Sequence, residues 1–204
     1  MTHAWLAGLA AGYGIAMPVG AIAVLIVSVS ARSSFWVGAV GGLGAATADL
    51  CYAAVATSSG YALAPVLHGI AGPLRVAGAI VLGAVAVRGL HAAWQARAAG
   101  SNATMQAPRA RRTYLGFLGI TLLNPLTVLY FAALVIAGQA PVAGTATASA
   151  FVVGVFLASL SWQLLLAGTG AALHRTRLGA SRLWTGLVAN ALIGAFAVQL
   201  VLTS

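Results

Sequence analysis

Long apolar stretches alternate with short polar or basic segments along the whole chain. Six runs stand out, at about 4–29, 35–58, 66–92, 114–137, 146–171 and 182–202. Each is near the ~20 residues that a helix needs to cross ~30 Å of hydrocarbon. None alternates apolar and polar residues with a period of two, so the strands of a membrane barrel are excluded. The pattern predicts an all-α membrane protein with six transmembrane helices.

The polar interruptions carry the charge asymmetrically. Arg32 follows the first run. Arg97, Arg109, Arg111 and Arg112 follow the third, and Arg175, Arg177 and Arg182 follow the fifth. The segments 59–65 and 138–145 hold no Arg or Lys. Basic loops stay on the cytoplasmic side, which puts both termini outside and loops one, three and five inside. Arg75, near the outer end of the third run, is the exception and is expected to snorkel outward. Trp36, Trp94, Tyr114 and Trp184 fall at inner boundaries, and Trp5 and Tyr61 at outer ones, as interfacial aromatics do.

Composition narrows the class further. Hydrophobic residues make up 61% of the 204 and charged ones 5%. A soluble surface needs about a quarter of its residues charged, so lipid must cover most of this molecule. The net charge of +9 comes from ten Arg and no Lys. Apart from Arg75 and Arg88 these lie between apolar runs or at the start of one, and not along one polar face, which excludes a nucleic-acid surface. Cys51 is the sole cysteine. That leaves no disulfide, no CxxC redox pair and no thiolate metal cluster. The histidines, His3, His68, His91 and His174, lack metal-ligand spacing. No cofactor is expected, and neither is enzymatic activity. The first run lacks a basic n-region and exceeds a signal-peptide core.

The basic segment 96–112 divides the chain into a first repeat, 1–95, and a second, 113–204, of one transporter domain. Three spans per half force the halves into opposite orientations, the arrangement of an inverted repeat. A faint internal match supports it. Gly12 stands six residues before Pro18, and Gly119 six before Pro125.

Candidate chemistry gathers at mid-membrane. Asp49 is the only acidic residue, and it lies within the second apolar run. A carboxyl in hydrocarbon marks an ion or substrate pathway. Pro18, between Gly14 and Gly20, is expected to break the first span, and Asn124-Pro125 the fourth. Asn is a preferred N-cap and Pro a preferred first helical residue. Each restart is therefore expected to expose unpaired N–H groups and a partial positive charge, a site for an anion. At 1.5 Å per residue, Pro18, Asp49 and Asn124 lie about 20, 21 and 16 Å in from their respective boundaries. In a core of about 30 Å all three fall near the midplane. A zwitterion would fit there, its carboxylate at the helix starts and its ammonium at Asp49. Asp49 is also the group that could carry a coupled proton. Ser28, Ser30, Thr47, Thr121, Thr127, Tyr130, Gln163 and Asn190 are further polar candidates for the cavity wall or for helix contacts. Gly38, Gly41, Gly42 and Gly44 are expected to bring helices close.

Three motifs carry a family resemblance: Gly14-Ile-Ala-Met-Pro18-Val-Gly20, Gly41-Gly-Leu-Gly-Ala-Ala-Thr-Ala-Asp49 and Gly116-Phe-Leu-Gly-Ile-Thr-Leu-Leu-Asn124-Pro125. With the basic central linker, they resemble the lysine exporter family, which includes the threonine/homoserine exporters. The resemblance implies a homodimeric exporter of amino acids in the bacterial inner membrane, driven by the proton gradient. It departs at the first break, where many members carry Pro-Gly-Pro or Gly-Pro. A cation or other small-solute exporter on the same scaffold, or a membrane scaffold without transport, is the alternative.

Overall fold

The computed structural model describes residues 2–18, 20–59, 64–98, 109–138, 140, 144–175 and 181–202, with side chains for most of them. Every regular element among these is an α-helix: α1 (Thr2–Ala16), α2 (Ala21–Arg32), α3 (Phe35–Ser59), α4 (Ala64–Ala98), α5 (Ala110–Leu122), α6 (Pro125–Ile136), α7 (Thr145–Arg175) and α8 (Ser181–Leu202). Each apolar run is thus one helix or a broken pair of helices. The linker is shorter than its polarity suggests, because α4 runs on to Ala98 and α5 takes up Arg111 and Arg112. Its middle, and the side chain of Arg75, lie outside the described residues.

By length and composition, two helices can cross a membrane alone, at Phe35–Ser58 and Thr145–Leu173. Two bent pairs pass together, α1 with α2 at 77° and α5 with α6 at 56°. The described parts of α4 and α8 hold shorter apolar segments, Val76–His91 and Asn190–Gln199. That gives up to four spans among the described residues, against the six expected.

Small residues set how these helices pack. In lipid there is no hydrophobic drive between helices, so close backbone approach and dispersion must hold them. A Cβ on Gly8 would strike the carbonyl of Phe151, and one on Gly12 would lie 2.5 Å from the Val155 oxygen. So α1 runs parallel to α7 with their backbones touching. On the other side of α7, Gly42 meets the Gln163 side chain and Gly38 meets Ala167, so α3 runs antiparallel to it. Gly41 lies against Phe117, and Gly44 against the backbone of α5. The glycines of the second run therefore do bring helices close. Gly170 sits against the Val27 carbonyl and ties α2 to the same central helix. Gly89 faces Asn190 and Gly194 faces Ala86, so α4 and α8 form an antiparallel pair.

The core on the α1 side of α7 gathers Ala11, Ala53, Phe131, Phe151 and Val155, with Tyr52 and Tyr130 packed against it. Tyr52 stacks on Phe131 at 5.9 Å between centroids, and Tyr130 meets Phe131 edge-on at 5.6 Å. Trp36 and Trp94, 75% and 73% exposed, project from the bundle, as interfacial anchors must.

Candidate functional site

The two breaks form by the local rules expected of them, and they end differently. Proline has no N–H to continue a helix. Accordingly α1 closes with Met17 N–H donating to the Tyr13 carbonyl at 2.9 Å, just ahead of Pro18. The chain restarts at Gly20, the N-cap of α2, in extended geometry (φ −126°, ψ −173°). Its carbonyl accepts from Val24 N–H at 3.2 Å. No side chain caps α2.

The second break caps itself. Asn124 is the N-cap of α6, with Pro125 at its first turn. Asn124 Oδ1 accepts from Leu126 N–H at 3.2 Å. Its carbonyl accepts from Thr127 and Val128 N–H at 3.1 and 3.4 Å. Pro125 has no N–H to offer. This corrects the expectation of unpaired donors at the fourth span. The start of α6 keeps its dipole, but Asn124 has already taken up its first donors.

Two tyrosines pin the breaks from across the bundle. Tyr52 donates its hydroxyl to the carbonyl of Leu122, the last residue of α5. A terminal helix carbonyl has no partner within its own helix, and Tyr52 supplies one. Tyr130, on α6, donates to the Ala11 carbonyl of α1 at 2.9 Å. Its hydroxyl passes directly over Gly14, where any Cβ would collide with it.

Asp49 is 3% exposed and accepts a 2.6 Å hydrogen bond at Oδ2 from the hydroxyl of Ser159, itself fully buried. A buried carboxyl needs such a partner. Gln163 stands one turn further along α7, on the same face as Ser159.

These pieces surround one cavity of about 650 Å³. Its wall includes all six residues singled out from sequence: Gly14, Pro18, Gly20, Asp49, Asn124 and Pro125. Thr121, Thr127, Tyr130 and Gln163 also line it. Ser28, Ser30, Thr47 and Asn190 do not. Thr47 bonds back to the Leu43 carbonyl at 2.7 Å, Ser28 is buried, and Ser30 and Asn190 pack against glycines of neighbouring helices. Ile22, Val81, Leu82, Ile120, Leu129 and Phe196 make the rest of the wall largely apolar. The cavity thus offers one carboxyl, two helix starts and a greasy enclosure, a combination suited to holding a small amphiphilic solute.

Sequence reasoning missed Ser159 and Tyr52. Ser159 carries no local signal, since serine in an apolar helix is ordinary. Only the register of α7 against α3 marks it.

The chain matches the family model of the LysE type translocator over residues 14–204, and it belongs to that family. No curated protein and no solved structure matches it.

Proposed function

We propose that this LysE type translocator exports an amino acid, or a related small zwitterion, across the bacterial inner membrane in exchange for protons. The observation that carries the reading is a cavity of about 650 Å³ among the described residues. The only acidic side chain of the chain lines it, together with the two helix restarts. Asp49 would hold the ammonium of the substrate or, in its place, the incoming proton. Pro18, Gly20, Asn124 and Pro125 shape the end where a carboxylate would lie.

Six spans in two inverted halves remain the architecture that fits the sequence best. The helix directions support it. Successive spans of such a bundle alternate in direction, and α7 runs with α1 and against α3, while α8 runs against α4. Both termini would then lie outside, with the basic linker in the cytoplasm, and the family resemblance favours a homodimer.

The test is efflux of labelled amino acids from preloaded vesicles, with internal and external pH set separately. Wild type is expected to export at least one amino acid faster when the receiving side is acidic. Asp49→Asn is expected to lose that acceleration while remaining folded. No difference from empty vesicles across all amino acids would point instead to an inorganic cation or another small solute on the same scaffold.

A further inference from the structure

The two helix restarts look equivalent in sequence, but their hydrogen bonding is not. At α6, the side chain and the carbonyl of Asn124 already hold the N–H groups of Leu126, Thr127 and Val128. At α2, the N-cap is a glycine, and no side chain caps the helix. The first N–H groups of a helix have no partner within it. Gly20, Ala21, Ile22 and Ala23 all line the cavity, so these donors stand at its wall.

A second observation points to a ligand in the same cavity. Gln163 and Thr121 are 5% and 4% exposed, and both line this cavity. Gln163 Oε1 and the Thr121 hydroxyl are buried with no hydrogen-bond partner among the described residues. Buried polar atoms are almost always satisfied, and a bound solute is one way of satisfying them. Gln163 Oε1 is an acceptor, so the partner it lacks is a donor such as an N–H.

We infer that the substrate carboxylate is bound at the start of α2, by the backbone N–H groups following Gly20, and not at the start of α6. This rests on the zwitterion reading and sharpens it. The restart at Asn124 becomes a self-contained hinge point, and the restart at Gly20 becomes the anion site. Glycine at position 20 then has a chemical purpose: any Asn, Ser or Asp there would cap α2 with its own oxygen and occupy the donors meant for the solute. Nothing else demands glycine. Its φ is one that any residue adopts, and among the described residues a Cβ would meet only the Pro18 carbonyl, at 4.0 Å.

The experiment compares Gly20→Asn and Gly20→Ser with Gly20→Ala, which adds a similar β-carbon but no acceptor. Equilibrium binding of the twenty labelled protein amino acids is measured on purified protein in lipid nanodiscs. For whichever amino acid wild type binds, the dissociation constant of Gly20→Asn is expected to be at least tenfold above that of Gly20→Ala. Gly20→Ser should follow Gly20→Asn, and it carries the comparison if the Asn variant does not fold. With the matching decarboxylated amine as ligand, the gap between the capping variants and Gly20→Ala should close. Equal amino-acid affinity in Gly20→Ala and the capping variants would overturn the assignment to α2 and leave the export reading standing. Absence of binding by wild type to every amino acid would overturn both.

Discussion

Ser159 donates a 2.6 Å hydrogen bond to Asp49 across the contact between α7 and α3, with both side chains shut away from solvent. The single carboxyl of the molecule is thus held by one residue on the central helix. A hydrogen bond contributes about 0.5–1.5 kcal/mol, and removing one partner so that a buried polar group is left unsatisfied costs about 1–3 kcal/mol. Ser159→Ala is expected to lower stability by about that amount, read as a drop in melting temperature in detergent. Made in the Asp49→Asn background, the same change should cost clearly less. Equal costs in both backgrounds would mean that the two residues are not coupled.

Export should respond to pH through Asp49. In an antiporter, protons enter as substrate leaves, so acidifying the outside is expected to speed wild-type efflux and acidifying the inside to slow it. Asparagine cannot take up or release a proton. Asp49→Asn should therefore flatten both responses, which a grid of internal and external pH values would read directly. A mutant profile that tracks wild type would move proton coupling elsewhere.

Asn124 should matter to structure through its side chain oxygen. Replacing an N-cap by alanine costs about 0.5–2 kcal/mol. Asn124→Ala is expected to destabilise by that amount, and Asn124→Ser or Asn124→Thr, which keep a neutral acceptor, by much less. Thermal denaturation of the three variants checks the order. Similar melting temperatures for all three would show that the cap is dispensable.

How far the sequence exposes this site depends on the range of the interaction. Asn124-Pro125 is legible because a cap and a first-turn proline obey rules that span three residues, and Asp49 because no other acid competes with it. The fate of the α6 N–H groups is not legible. Whether Asn124 turns its oxygen onto Leu126 or into the cavity depends on a rotamer that neighbouring helices select. The Tyr52 and Tyr130 pins are hidden for a related reason. Each joins a side chain to a carbonyl far along the chain, and carbonyls are identical at every position. The seat of α7 is hidden too, since the contacts that place it between α1 and α3 join residues more than a hundred positions apart.

The glycines of α1 can be tested against those of α5. A methyl group at Gly12 would sit 2.5 Å from the Val155 oxygen and 2.8 Å from the Ala158 β-carbon, whereas one at Gly116 or Gly119 meets nothing within 4 Å among the described residues. Overpacking costs about 1–3 kcal/mol, while a helical glycine given open space gains about 0.5–1 kcal/mol on becoming alanine. Gly12→Ala is therefore expected to lower the melting temperature, and Gly116→Ala to leave it level or raise it. The same sign in both would mean that the contact between α1 and α7 is looser than described.

The wedging of α7 has a consequence for how the chain is made. A ribosome delivers α1, α2 and α3 to the membrane well before residues 145–175 exist. Until then the bare faces at Gly8, Gly12, Gly38 and Gly42 have no α7 to close on, and the Asp49 carboxyl lacks its serine. The early helices must therefore wait in the bilayer with a slot open between them and a polar group unattended. The slot closes only once α7 is in place, so a chain cut short before Thr145 should be prey for membrane proteases rather than a half-sized working unit.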